Sequence, residues 1–256
     1  MKDAAPPLFE RVRRKLRGLK LRTTLHDYLE AMPPAHPLRG IPARVVGDAS
    51  ADPSEFFDHY DAYAFWVASR LGSKRHRILD LGSPKMQNAM LSAYNDVTAI
   101  VLADCSDYFS NIEYCRHDAG TPLPFEACSF DCFTSTVAIP LMGLGRYGDR
   151  VDPNAVQTLI AELNRVLDVD AELLISLTTG PNFLAFNNGW YLDLPTIERL
   201  FVGWELYDVV IDTWSSPRAE PRPAVKDRFA GRSAVPDIAM GDYRVVFCAF
   251  RRAATK

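Results

Sequence analysis

Short apolar runs alternate with amphipathic ones along most of the chain. Two stretches, Ser54 to Leu71 and Asn154 to Leu167, carry apolar side chains at helical spacing. Four other runs have the length and apolar composition of buried strands, namely residues 77–81, 97–104, 129–138 and 172–177. Apolar strands separated by helices form parallel sheets that are covered on both faces. The order of these runs therefore predicts a doubly wound α/β fold.

Residues near the two ends of the chain depart from this alternation. Residues 205–214 and 243–251 are strand-like with no helix between them, so we expect them to pair antiparallel at the sheet edge. The charged, proline-rich residues 215–242 between them are expected to form a loop or lid. Residues 23–54 are rich in proline and alanine, which predicts an extension outside the core. The main predicted domain therefore spans residues 55–253.

Residues 1–22 combine a positive charge with helical periodicity. They hold eight basic and two acidic side chains, so this segment carries +6 and the rest of the chain −9, for a net charge of −3. Apolar side chains from Phe9 to Leu19 recur at helical spacing, which predicts a basic amphipathic helix. Residues 9–22 could contact an anionic membrane face, or they could form a solvated helix that covers part of the domain. The acidic remainder argues against a nucleic-acid-binding groove.

The composition is that of an ordinary globular protein, with 48% hydrophobic and 24% charged residues. No apolar stretch is long enough to cross a membrane, and the first residues lack the pattern of a secretory signal. Five cysteines show no metal-binding spacing, and no histidine pair has supported ligand spacing. We therefore expect reduced cysteines, no bound metal and a cytoplasmic location, with the basic helix as a peripheral contact at the inner face of the membrane.

The densest group of candidate functional residues is the glycine-rich run Gly143–Asp149. Three glycines in six residues do not suit a helix or a strand interior, so the run predicts a loop after a buried strand. Such loops carry the chemistry of α/β proteins. Asp149 could accept a proton, Arg146 could bind a phosphate or carboxylate, and Tyr147 could stack on a sugar ring. Alternatively, Arg146 and Asp149 pair to hold the loop, and Asp152 caps the following helix.

The turn after the first buried strand bears on the choice of cofactor. It contains one glycine, Gly82, followed by Ser83 and Pro84, whereas a dinucleotide site needs three glycines to bind a pyrophosphate. NAD and FAD are therefore disfavoured. S-adenosylmethionine carries no phosphate and could use a turn with a single glycine. Asp104 ends the second strand, where it could meet the ribose hydroxyls. Asp118 would lie after a short third strand, where it could meet the adenine amine.

Three further side chains have both a functional and a structural interpretation. Tyr60 and Tyr63 lie on the predicted helix before the first buried strand. They could line the methionine or acceptor side of a pocket, or they could belong to the core. His117 precedes Asp118 and could reach the same pocket, or it could be a satisfied structural histidine.

Taken together, these positions resemble the class I S-adenosylmethionine-dependent methyltransferase superfamily. The resemblance rests on Asp80–Gly82, Asp104, Asp118 and the run from Leu123 to Asp131. It covers residues 56–251 and implies a Rossmann-like, mostly parallel seven-stranded sheet with an antiparallel C-terminal edge hairpin. It also implies that S-adenosylmethionine is bound by Asp80, Gly82, Ser83, Asp104 and Asp118.

A narrower resemblance is carried by the glycine-rich run itself. Residues 143–153, together with residues 162–167, Phe186-Asn187 and Thr196-Ile197, are similar to a methyltransferase-like family of unknown function. That family is associated with bacterial surface-polysaccharide genes. The similarity implies methyl transfer to a sugar or glycan-linked acceptor, in polysaccharide biosynthesis.

Two departures from that family leave a second hypothesis open. Pro140 and Leu141 stand where a Glu-His pair is expected, and Asn188-Gly189-Trp190 follows Phe186-Asn187 where a His-Arg pair is expected. Polar groups of this kind carry proton transfer. The chain is therefore predicted to be either a methyltransferase or a non-catalytic binding or scaffold module of a polysaccharide assembly system.

Overall fold

The computed structural model describes residues 21–45, 59–103, 109–213 and 244–253. The predicted basic helix before residue 21, the candidate Asp104 and the predicted loop at 215–242 lie outside these residues. None of the described helices has the length and apolar character of a membrane span. The helices are α1 (residues 21–30), α2 (His59–Leu71), α3 (Lys85–Leu91), α4 (Ala155–Val166) and α5 (Leu194–Leu200). The strands are β1 (Ala43–Val45), β2 (Arg77–Leu81), β3 (Asp96–Val101), β4 (Ile112–Arg116), β5 (Phe130–Thr136), β6 (Leu167–Thr179), β7 (Phe183–Phe186), β8 (Gly189–Tyr191), β9 (Trp204–Thr213) and β10 (Arg244–Arg252).

Seven strands form one sheet in the order β4-β3-β2-β5-β6-β10-β9. The five strands from β4 to β6 pair in parallel, whereas β10 runs antiparallel to both β6 and β9. The structure therefore confirms the doubly wound, mostly parallel sheet and its antiparallel C-terminal edge hairpin. The four strands predicted from apolar runs correspond to β2, β3, β5 and β6.

Helices cover both faces of the sheet and enclose two apolar clusters. On one face, α1, α4 and α5 contribute Leu25, Leu159 and Ile197 to the larger cluster. On the other face, α2 and α3 contribute Trp66 and Leu91. Helix α4 forms as predicted because its apolar side chains at 156, 159, 160 and 163 recur on one side and are buried. This burial on both faces explains why β2, β3 and β6 carry apolar runs, whereas the edge strand β4 is only partly buried.

A second, three-stranded sheet was not predicted from the sequence. Strand β1 pairs in parallel with β7, which pairs antiparallel with β8. Strand β8 carries Trp190, which is 2% exposed and contacts Tyr28 of α1 at a centroid distance of 6.4 Å. The small sheet thus joins the N-terminal segment to the chain between β6 and α5.

The prediction that residues 23–54 lie outside the core is wrong for the described part, which ends at residue 45. Leu25, Tyr28, Met32 and Leu38 are all buried and belong to the larger apolar cluster. Leu25 and Tyr28 lie one helical turn apart on α1, and Met32 follows at helical spacing just after the helix. The polar and proline residues around them obscured this apolar stripe in the sequence.

Candidate active site

A cavity of about 500 Å³ lies at the carboxyl ends of four parallel strands. Gly82 lines it after β2, Leu102 after β3, Asp118 after β4 and Val137 after β5, while Tyr60 reaches it from α2. The volume lies in the range of small-molecule sites. Its location is the crevice in which open α/β sheets bind ligands.

Gly82 is required by the backbone of the turn after β2. Its φ is +73°, and a Cβ atom at this position would lie 2.5 Å from the Cβ of Ala138. Any side chain would therefore push the turn away from the end of β5. The single glycine brings the ends of β2 and β5 into direct contact at the floor of the cavity.

Asp80 lies beneath this turn and is 1% exposed. Its Oδ1 accepts hydrogen bonds from the Ser83 amide at 3.2 Å and the Asn88 side chain at 2.9 Å, and its Oδ2 accepts one from Thr134 at 2.7 Å. Burial raises the pKa of Asp80, and its hydrogen bonds oppose this effect. Asp80 is not among the residues that line the cavity. Its carboxylate instead positions the Gly82 turn.

Ser83, predicted to touch the cofactor, takes part in a polar ring beside this carboxylate. Its hydroxyl lies 3.0 Å from the hydroxyl of Thr136 and accepts a hydrogen bond from Gln87 at 3.3 Å. The Thr136 hydroxyl in turn donates to the side-chain oxygen Oε1 of Gln87 at 3.2 Å. Sequence reasoning missed Gln87 and Asn88. Their side-chain amides lie on the buried face of α3, and the sequence does not show which face of this helix is buried.

Asp118 lies after β4 and lines the cavity, as predicted for an adenine contact. Its Oδ1 accepts from the Gly120 amide at 2.9 Å, and its Oδ2 accepts from the Arg150 amide at 3.4 Å. Each oxygen keeps a lone pair for a further donor. His117 also lines the cavity, and its amide donates to Val101 at 2.9 Å.

The glycine-rich loop closes on itself through its own backbone. The Gly143 carbonyl accepts a hydrogen bond from the Asp152 amide at 3.0 Å. Asp149 accepts from the Gly145 amide at 3.2 Å and from the Tyr147 amide at 3.1 Å, so each carboxylate oxygen holds the loop. Both Asp149 and Tyr147 line the cavity, and Tyr147 is 64% exposed.

Arg146 does not itself line the cavity, although its guanidinium lies 5.6 Å from the ring centroid of Tyr147, which does. Its guanidinium donates to the Asn187 carbonyl at 3.3 Å and to the Asn188 side chain at 3.1 Å. The alternative prediction paired Arg146 with Asp149. In the structure Arg146 instead contacts Asn187 and Asn188, and Asp149 accepts from loop amides. Arg146 therefore joins the glycine-rich loop to the turn between β7 and β8.

Asp152 organises the start of α4 from outside the helix. Its Oδ1 accepts from the Asn154 amide at 2.9 Å, and its other oxygen forms an ion pair with Arg150. Burial raises the pKa of Asp152, but the hydrogen bonds from Asn154 and Arg150 outweigh this effect and lower it. Asn154 holds the N-cap position itself, so the predicted cap is displaced by two residues.

The two segments that differ from the polysaccharide-associated family are neighbours in the structure. Pro140 and Leu141 form a short 3-10 turn after β5, and Leu141 lines the cavity. A Cβ atom on Gly189 would lie 3.5 Å from the Pro140 carbonyl and 3.4 Å from the Leu141 side chain. The positions expected to be polar are therefore neighbours in space, and an apolar wall stands there in this chain.

The two tyrosines of α2 divide between site and core. Tyr60 is 37% exposed and lines the cavity. Tyr63 is fully buried, accepts a hydrogen bond from the Ser135 amide at 3.1 Å and donates to the Leu174 carbonyl. Tyr63 thus links β5 and β6 rather than contacting a ligand. Among the described residues, no cluster of three His, Cys, Asp or Glu side chains could hold a metal ion.

No protein-family model matches the chain, and no curated protein matches it in sequence. Solved structures are similar to it in fold. The cyclase SpnF has a TM-score of 0.53 at 15% identity, over 76% of this chain and 82% of its own. The Burkholderia thailandensis 1,6-didemethyltoxoflavin-N1-methyltransferase, with bound 1,6-didemethyltoxoflavin and S-adenosylhomocysteine, has a TM-score of 0.51 at 15% identity, over 99% and 93%. The chain thus has the Rossmann-like fold of class I S-adenosylmethionine-dependent methyltransferases.

Proposed function

We propose that the protein binds S-adenosylmethionine and transfers its methyl group to a sugar or glycan-linked acceptor. One observation carries this proposal. The cavity at the strand ends is lined both by the single-glycine turn at Gly82 and by the carboxylate of Asp118. A turn with one glycine suits a cofactor without a pyrophosphate, and the carboxylate suits the amine of an adenine.

The residues present fit this cofactor. Leu102 and Ala119 supply apolar walls beside Asp118, as a flat base requires, and Gly82 leaves the turn free of a side chain. S-adenosylmethionine supplies an electrophilic methyl group. On the acceptor side, the exposed ring of Tyr147 offers a surface on which a sugar can stack.

Asp149 serves the acceptor side chiefly by position. Its two oxygens accept the loop amides of Gly145 and Tyr147, which fixes the carboxylate at the wall of the cavity. Each oxygen retains a lone pair that can accept a hydrogen bond from an acceptor hydroxyl. Orientation of a hydroxyl group toward an electrophile is a large part of such catalysis.

A non-catalytic binding or scaffold module is the second candidate. It is favoured by the apolar wall at Leu141 and by the commitment of Arg146 to Asn187 and Asn188. The fold does not fix the reaction, since a cyclase and a methyltransferase share it.

Calorimetry with S-adenosylmethionine and S-adenosylhomocysteine tests cofactor binding. Asp118→Asn is expected to weaken binding about tenfold, because a charge-assisted hydrogen bond is lost. Asp96→Asn makes the same change at the opposite end of β3, where Asp96 pairs with Arg75, and is expected to leave affinity unchanged. No binding to the wild type at millimolar ligand would contradict the proposal.

Transfer of a labelled methyl group to sugars, sugar nucleotides and glycan lipids tests the reaction. Label in a glycan fraction, reduced by Tyr147→Ala, would support the sugar acceptor. Binding of S-adenosylhomocysteine without transfer to any acceptor would favour the scaffold module instead.

We also propose that a cytoplasmic pool of the protein contacts the membrane through residues 9–22. The support is their positive charge and apolar spacing in the sequence. The full chain is expected to sediment with anionic liposomes, and a chain lacking residues 1–20 is expected to remain in the supernatant. Equal distribution of the two proteins would contradict this.

A further inference from the structure

The ring of His117 is held at one nitrogen by two hydrogen-bond acceptors. Its Nε2 lies 3.0 Å from the Pro122 carbonyl and 3.0 Å from the Thr121 hydroxyl. That hydroxyl donates its own proton to the Asp118 carbonyl at 2.7 Å, so it can only accept from the ring. A nitrogen between two acceptors must carry the proton. The neutral His117 ring is therefore the tautomer with hydrogen on Nε2.

The fixed tautomer leaves Nδ1 as an acceptor. His117 lines the cavity next to Asp118, and no described residue forms a hydrogen bond with Nδ1. The backbone amide of His117 donates to Val101, which ties the residue to β3. We propose that Nδ1 of His117 accepts a hydrogen bond from the exocyclic amine of the adenine, next to Asp118. This inference rests on the proposed binding of S-adenosylmethionine.

The amine is the ligand group that two neighbouring acceptors fit. It carries two N–H donors. Asp118 and His117 both line the cavity, and a carboxylate and the unprotonated nitrogen of a neutral imidazole are both hydrogen-bond acceptors. A hypoxanthine base presents a carbonyl oxygen at the same position. That oxygen would face two acceptors and leave them unpaired, so His117 acts as a determinant of specificity for adenine.

Two substitutions separate the nitrogen atoms of His117. His117→Gln places an amide nitrogen near the Nε2 position, which keeps the contact with Pro122 and removes Nδ1. His117→Asn places an amide oxygen near the Nδ1 position and removes the contact with Pro122. His117→Gln should therefore bind S-adenosylhomocysteine about fivefold more weakly than the wild type, with little change in thermal stability. His117→Asn should show the reverse, with near wild-type affinity and lower thermal stability.

The decisive experiment compares S-adenosylhomocysteine with S-inosylhomocysteine by calorimetry on the wild type and on His117→Gln. The wild type should prefer the adenosyl ligand, and His117→Gln should lose about fivefold of that preference, since one of two acceptors for the amine is gone. An unchanged preference in His117→Gln would overturn the inference, as would loss of affinity in His117→Asn equal to that in His117→Gln. Failure of the wild type to bind either ligand would instead contradict the proposed function.

Discussion

The backbone amide of Val137 donates to two oxygens of Ser176, the carbonyl oxygen at 3.1 Å and the hydroxyl at 3.0 Å. Val137 follows β5, lines the cavity and has a φ of +52°. A β-branched residue rarely adopts this left-handed conformation, which costs about 1–2 kcal/mol. Such a backbone persists only where its surroundings hold it. Ser176, fully buried on β6, supplies that hold.

Ser176→Ala should lower the free energy of unfolding by about 1 kcal/mol, because one buried hydrogen bond is lost. It should also weaken S-adenosylhomocysteine binding, since the Val137 amide then keeps only its bond to the Ser176 carbonyl and the conformation that shapes the cavity is held less firmly. In a Val137→Gly background the stability loss should remain and the effect on affinity should disappear, because glycine adopts this φ without strain. Urea unfolding and calorimetry of the four proteins measure both quantities. If Ser176→Ala lowers stability but leaves affinity unchanged in the protein that retains Val137, Ser176 does not have this role.

Two glycines of the glycine-rich loop should respond differently to alanine. A Cβ atom on Gly143 would lie 2.0 Å from the Asp152 carbonyl oxygen, whereas nothing lies within 4 Å of one on Gly148. Both have positive φ, +71° and +88°, so both substitutions carry left-handed strain of about 1 kcal/mol. Gly143→Ala should lose about 3 kcal/mol or more, since the backbone must also move. Equal losses in thermal or urea unfolding would show that the loop shifts freely away from Asp152.

Local pattern was sufficient for the main sheet and insufficient for the small one. Helix α4 is periodic in its apolar positions, and β2, β3, β5 and β6 contain apolar runs, so each of these elements could be predicted alone. Strands β7 and β8 are short and separated by Asn187-Asn188, and β7 pairs with the distant β1. Nothing near Phe183 indicates that partner. Tyr28 was predicted to lie outside the core for a related reason. It is buried by Phe186 and Trp190, which are more than 150 residues away in the sequence.

The candidate site could be predicted by strand order but not by hydrogen bonding. Gly82, Asp118 and Tyr147 line one cavity because parallel strands end at the same edge of the sheet. Asp80 was assigned to the cofactor through the resemblance to the methyltransferase superfamily, and Asp149 to the acceptor because a carboxylate can accept a proton. The structure occupies both with its own donors. The backbone geometry decides which donors reach a carboxylate, and the spacing of residues along the sequence does not determine that geometry.

Tyr63→Phe should destabilise the protein by about 1–3 kcal/mol, because the Leu174 carbonyl and the Ser135 amide each lose a buried partner. Tyr60→Phe is the matched control on the same helix, where the ring lies at the cavity and is 37% exposed. Its effect on urea unfolding should be smaller. A larger loss in Tyr60→Phe than in Tyr63→Phe would contradict the division of the two tyrosines between site and core.

The stability of the protein should depend on pH through His59. Burial lowers the pKa of its imidazole from 6.5 to about 4, and its ring lies 4.0 Å from that of Tyr60. Between these two pKa values the unfolded chain binds more protons than the folded one. The free energy of unfolding therefore falls as the pH drops below 6.5, and this loss is complete only below pH 4.

His59→Gln removes this titration while keeping a polar side chain. Between pH 7 and pH 5 the wild type should lose about 2 kcal/mol more of its unfolding free energy than the variant, since one pKa unit corresponds to about 1.4 kcal/mol. Urea unfolding of both proteins at the two pH values measures the difference. All other ionisable groups are common to both proteins, so their contributions cancel in this comparison. The same pH dependence in wild type and variant would show that His59 gains a proton in the folded state as readily as in the unfolded chain.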